Sequence, residues 1–162
     1  SYNCTLSRDG RYWGGGTWRD PPIVVVRLDT QTGELLELET RSTMSHPARA
    51  GFDPEGNLWL GGRLSNLIKL DAEKKQVFEY TLPTPFNSFY EVTADDNGEA
   101  WGGEVHGGRV MRYNPDDDRM IEYVLPEPYA HSRRAWIDNS TDPVAYWYVD
   151  HNGYMVRVQP LE

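Results

Sequence analysis

Cysteine is almost absent from the chain: Cys4 is the only one in 162 residues. This excludes an internal disulfide framework and argues against thiolate metal sites. Long hydrophobic runs are also missing. The longest, residues 23–26, is followed at once by Arg27, far short of the roughly 18 apolar residues a membrane helix needs. A soluble chain with no membrane partner is expected. Positive charge is scarce, with 16 Lys and Arg against 25 Asp and Glu and a formal net charge of −9. Nucleic acid is therefore not expected as a partner, because a phosphate backbone is held by clustered Lys and Arg. A cationic or neutral small ligand stays open. No methionine and no signal-like segment opens the sequence, so a processed or truncated chain is expected. A bacterial secreted or periplasmic location is the expectation, with the cytoplasm as the alternative.

What the chain does have is turn formers and aromatic residues: 15 Gly, 11 Pro and 12% Phe, Trp and Tyr, a composition that favours short strands. Four tryptophans mark an internal repeat. Trp13, Trp59, Trp101 and Trp147 are spaced by 46, 42 and 46 residues, the period of about 40 to 50 shown by β-propeller blades. Helical arrays share the period. They are excluded by the texture within each unit, where short β-branched and aromatic runs alternate with Asp, Asn, Gly and Pro turns.

Each unit reads as four strands, a to d. Residues 49–53, 57–61, 66–70 and 77–82 form the second unit and 91–94, 99–103, 109–113 and 120–125 the third. The first comprises 4–7, 11–15, 23–28 and 35–39, with an insertion at 17–22. The fourth runs only to its strand c, 154–158. The expectation is an all-β propeller of four tandem antiparallel blades, residues 1–41, 42–83, 84–126 and 127–162, the last without its outer strand. Strand c carries a base in every unit (Arg27, Lys69, Arg112, Arg157) and strand d an apolar-Glu-apolar pattern around Glu37, Glu79 and Glu122. Facing pairs across the c–d ladder are expected to contribute about 0.2–1 kcal/mol each. The recurrent Trp is expected to fill the space between blades.

About fifteen strands in four such units form one partial domain and leave a sheet edge exposed. Further blades of the same protein, a second copy of the chain, or a compact four-bladed ring would close it, and the first is the expectation.

In such a meander the b–c turns and d–a links lie on one face. That face collects His46, Arg49, Asn66, Asn87, Tyr90, Glu104, His106, His131, Arg133, Arg134, Asp150, His151 and Asn152. Loops on a rigid scaffold are where ligands bind, so a small molecule or peptide is expected there, touching Tyr90, His131, Arg133, Arg134, Asp150 and His151. Trp18, in the inserted loop of the first unit, is placed to stack on it. Exposed loops also favour polar residues without any function. Glu104 and His106, two apart on an extended segment, are expected to point the same way and to share a proton or a metal as a catalytic pair. Arg133 and Arg134 suit a carboxylate or phosphate, or stacking on a neighbouring aromatic ring.

The runs Gly-Asn-Leu-Trp-Leu-Gly-Gly (56–62), Asn-Leu-Ile-Lys-Leu-Asp (66–71) and Phe-Glu-Tyr-Thr-Leu-Pro (78–83) resemble the virginiamycin B lyase, or streptogramin lyase, repeat. The resemblance spans all four units and implies part of a seven-bladed ring. It further implies a His and a Glu acting with Mg²⁺ to open a cyclic depsipeptide by C–O elimination, the Glu three residues after the blade Trp. Glu104 holds that place after Trp101, as catalytic residue and metal ligand, whereas Gly16, Gly62 and Asp150 occupy it in the other units. The family's His lies near the start of strand a, where this blade reads Asn87-Ser88-Phe89-Tyr90-Glu91. Three functions are thus expected: a ligand-binding or scaffold module first, and as alternatives a Mg²⁺-dependent C–O lyase or a gluconolactonase-like metal hydrolase.

Overall fold

The computed structural model describes residues 4–17, 22–42, 47–63, 65–127 and 129–161. They form fifteen strands and, among the described residues, no helix. Blade one consists of β1 (Thr5–Leu6), β2 (Tyr12–Gly16), β3 (Val24–Asp29) and β4 (Leu35–Glu39). Blade two holds β5 (Ala50–Phe52), β6 (Leu58–Gly61), β7 (Asn66–Asp71) and β8 (Gln76–Thr81). Blade three holds β9 (Phe89–Ala94), β10 (Ala100–Glu104), β11 (Arg109–Asn114) and β12 (Arg119–Val124). Blade four has β13 (Ser132–Asp138), β14 (Ala145–Asp150) and β15 (Met155–Val158). Each blade is an antiparallel sheet whose strands lie in chain order.

The a–b turn explains why the sequence repeats where it does. In blade two Asp53 closes the turn, accepting the Asn57 N–H at 2.9 Å on one oxygen and the Trp59 Nε1–H at 2.9 Å on the other. Asp95 repeats this in blade three with the Glu99 N–H and Trp101 Nε1–H. The turn closes through Gly56 and Gly98, whose φ values of 81° and 82° are costly for a residue with a Cβ. One carboxylate thereby sets the turn and fixes the indole six residues on.

Trp59, Trp101 and Trp147 share one register position, each directly opposite the base of strand c, Lys69, Arg112 or Arg157. Trp59 and Trp101 are fully buried between blades. Trp101 lies 6.1 Å from both Tyr123 of its own blade and Tyr146 of the next, near-parallel to each. Trp59 lies between Tyr80, stacked at 6.1 Å, and Tyr113 of the next blade, met edge-on at 5.8 Å.

Trp13 departs from the expectation. Ser7 pairs across the first turn with Tyr12, five residues on, where Asp53 pairs with Asn57, four residues on. The extra turn residue shifts β2 by one, so that Gly14, not Trp13, stands opposite the strand-c base Arg27. A shift of one residue turns a side chain to the other face of the sheet. Trp13 is 45% exposed there, in one row with Leu6, Leu28 and Leu35, its successive partners across the four strands.

The expected c–d charge pairs are also replaced. Arg27, Lys69 and Arg112 stand opposite the apolar Leu36, Phe78 and Ile121. The Lys69 ammonium and the Arg112 and Arg157 guanidinium groups lie 5.2–5.7 Å from the ring centres of Trp59, Trp101 and Trp147. The glutamates of strand d reach back to the connection leaving the preceding blade. Glu79 accepts the N–H groups of Arg41 and Ser42 at 2.5 and 3.0 Å. Glu122 accepts the Thr84 N–H at 3.3 Å and its hydroxyl at 2.5 Å. This carboxylate clasp ties successive blades together outside their apolar cores. Glu122→Ala, which leaves the Thr84 donors without their acceptor, is expected to lower unfolding stability by about 1–2 kcal/mol, read from urea midpoints at unchanged slope.

Candidate functional site

Three histidines meet where blades three and four adjoin. His106 follows β10, His131 precedes β13 and His151 follows β14, so two b–c turns and one d–a link converge. The His106 and His131 ring centres are 5.3 Å apart, and those of His131 and His151 5.5 Å. Arg133 donates from Nε to His131 Nε2 at 3.3 Å, which places the proton of neutral His131 on Nδ1. Burial holds the His131 pKa below the ordinary histidine value, and Arg133, His106 and His151 add to that against an opposing Asp150.

Asp150 belongs to the frame of this cluster. It is buried and accepts the His131 N–H at 2.8 Å, together with the Asn152 N–H at 2.8 Å and side-chain amide at 2.9 Å. Burial opposes its ionisation, but those donors outweigh it and hold its pKa below the usual carboxylate range. Arg133 also lies 5.7 Å from the Tyr90 ring centre, and Arg49 lies 5.6 Å from it. Beside these groups opens a cleft of about 390 Å³ lined by Arg63, Ser88, Phe89, Tyr90, Val105, His106, His131 and Arg133.

Glu104 and His106 face different surroundings, contrary to the expectation of a shared site. β10 ends at Glu104 and residues 105–108 bend, so His106 is not on the extended segment that simple alternation requires. Glu104 is 1% exposed and turns inward, its Oε1 accepting the Asn87 amide at 2.8 Å. Its Oε2 lies 3.7 Å from Arg109 Nη1 and has no hydrogen-bond donor among the described residues. A Cβ on Gly107 would come within 1.6 Å of that oxygen, so glycine is what lets the chain pass over it. Burial, then the charge of Glu122, pushes the Glu104 pKa up to about 7 against the pull of Arg109.

Among the described residues no group of three or more His, Cys, Asp or Glu is placed to hold a metal ion. One carboxylate with a guanidinium beside its free oxygen does not fit Mg²⁺, which takes several oxygen ligands.

Arg134 also leaves the cleft. Its Nε lies 3.4 Å from Glu91 Oε2, which accepts the Ala135 N–H at 3.3 Å as well. Trp18 and His46 lie outside the described residues. Arg63 and Ser88, which line the cleft, were not singled out from sequence. Arg63 sits in a b–c turn, so the same sorting by face would have found it.

No protein-family model matches the sequence, and no curated protein matches it. Solved structures do. Virginiamycin B lyase from Staphylococcus aureus superposes with a TM-score of 0.69 at 21% identity over 99% of this chain, as does a catalytically inactive His-to-Ala variant of it with quinupristin. A streptogramin B lyase gives 0.69 at 22% identity. The β-propeller domain of Cps50 (Swd1) from Myceliophteria thermophila gives 0.71 at 15% identity over 96% of the chain. The chain has the β-propeller fold.

This propeller segment spans about half the length of the lyases it matches, 55% and 54% of those chains. Both lyases and a propeller domain not described as a lyase appear among the neighbours, so the shared fold carries no activity by itself. The propeller's b–c face is where the three imidazoles and the cleft lie.

Proposed function

We propose that this chain is a ligand-binding segment of a larger propeller protein, taking a small molecule or peptide in the cleft beside His131. The single observation that carries the reading is the convergence of His106, His131 and Arg133 on one cleft of about 390 Å³ that Tyr90 also lines. The volume falls within the range of small-molecule sites, roughly 300–1,000 Å³, and the walls come from loops held by three blades. Fragment screening by saturation-transfer NMR on the intact chain tests it. Saturable binding is expected, unaffected by EDTA and weakened at least about tenfold by Tyr90→Ala, which removes one wall. Hits that ignore that substitution, or no hits at all, would overturn the reading.

One observation favours a second reading, a C–O lyase. Glu104 has a pKa of about 7, which suits proton transfer near neutrality, in a fold shared with the streptogramin lyases. On this reading a cyclic depsipeptide displaces the Gly107 segment that covers Glu104 Oε2. The carboxylate takes a proton from the carbon next to the one bearing the ester oxygen, and the C–O bond breaks with the ester carboxylate leaving. The intact protein would open quinupristin until Glu104→Gln removed the base. Failure of the intact protein to open it leaves the binding reading alone. A gluconolactonase-like hydrolase depends on a metal site that the described residues do not assemble.

A further inference from the structure

Resting on the ligand-binding reading above, we infer that the cleft selects a small ligand with an oxyanion, a carboxylate or a phosphate, held between Arg133 and His131. Acidic residues outnumber basic ones by 25 to 16 in this chain, yet no Asp or Glu is among the residues lining this cleft, where Arg63, Arg133, His106 and His131 stand. A site whose sign opposes that of the whole chain is built for a local charge. The acid that touches His131, Asp150, is buried and engaged by three donors, the backbone N–H groups of His131 and Asn152 and the Asn152 side-chain amide, and it does not line the cleft. Net charge left a neutral or cationic ligand open; the placement of the charges favours the carboxylate or phosphate that Arg133 suits.

The donors suit an oxyanion. Arg133 holds a guanidinium beside the cleft, exposed to solvent and, among the described residues, hydrogen-bonded through Nε alone, so its terminal N–H groups can be offered as a fork. Its acceptor there is His131 Nε2. An arriving anion can take over Arg133 and let His131 accept a second proton, converting that nitrogen from acceptor to donor. His106 and His151 flank His131 on either side and Arg133 lies in front. Together they disfavour a charge on His131 until an anion offsets it. Binding is then linked to proton uptake, and the affinity rises as the pH falls, because the anion raises the His131 pKa from its depressed value in the free protein.

Isothermal titration of the intact chain with benzoate and with its neutral isostere benzamide, at about 0.15 M salt, tests the inference. Benzoate keeps its charge at both pH values needed, about 5.5 and about 8. The expected result is benzoate binding that tightens about tenfold from the higher to the lower pH, with benzamide at least about tenfold weaker at the lower. Arg133→Gln should remove that preference, whereas Arg119→Gln, the same charge change at the start of β12, should not. Benzamide binding as tightly as benzoate would overturn the oxyanion inference and leave a ligand cleft. Absence of binding by both would remove the cleft reading as well. Benzoate binding that Arg133→Gln leaves unchanged would place the anion elsewhere and overturn the inference.

Discussion

Trp101→Ala is expected to destabilise the protein by about 3–5 kcal/mol, the range for truncating a fully buried aromatic side chain. Three losses combine. The indole leaves a void between Tyr123 and Tyr146, across the boundary of blades three and four. The buried Asp95 carboxylate loses one of its donors, and Arg112 loses the ring it lies over. The control is internal to the repeat. Trp13→Ala, at the corresponding place in the sequence pattern, should cost within about 1 kcal/mol, since its side chain is on the exposed face. Chemical denaturation of the two variants decides the matter, and equal losses would mean that the register of β2 is not as described.

Glu104→Gln should stabilise the protein at about pH 8 by up to about 3 kcal/mol, while changing little at about pH 4.5. The figure is the free-energy equivalent of moving its pKa from 4.5 to about 7. The sign follows from proton binding. Between those values the folded protein binds a proton that the unfolded chain has released, so the stability due to the protonated carboxyl is fully present below pH 4.5. It is lost as the pH rises through about 7. Glutamine keeps an acceptor for the Asn87 amide and carries no charge to bury. Arg109 retains its bond to the Gly107 carbonyl at 3.0 Å. Thermal melts of both proteins across this range should converge at acid pH and separate above neutrality; parallel curves would show that the carboxyl ionises without penalty.

Much of this molecule was legible from spacing alone, because a blade repeats a physical solution. Wherever strands were assigned from sequence, their bounds agree with the structure within one or two residues, from 77–82 against Gln76–Thr81 to 154–158 against Met155–Val158. Turn residues and alternation are local, and so is the information in them. What was not legible depends on a single residue of slack. The added position after Gly10 leaves the Trp spacing within the range of the repeat yet reverses which face Trp13 occupies. The end of β10 at Glu104, with a bend over residues 105–108, undoes the i, i+2 argument that joined it to His106. The partners of Glu79, Glu122 and Arg134 are on neighbouring blades, about 40 residues away in sequence, where no periodicity points to them. The face that holds the candidate site could be read; the sorting of its charges into cleft, clasp and interior could not.

The clasp makes the stack of blades directional. Each acid holds the exit of the blade before it, so a blade added ahead of β1 would offer its exit to Glu37, and a fourth strand completing the blade of β15 would bring its acid to the segment around Glu127. Such units join head to tail only. A shuffled or inverted blade could match its neighbours in apolar area and still find its carboxylate facing no donor, so blade order is policed by hydrogen bonds that do nothing for any single blade in isolation.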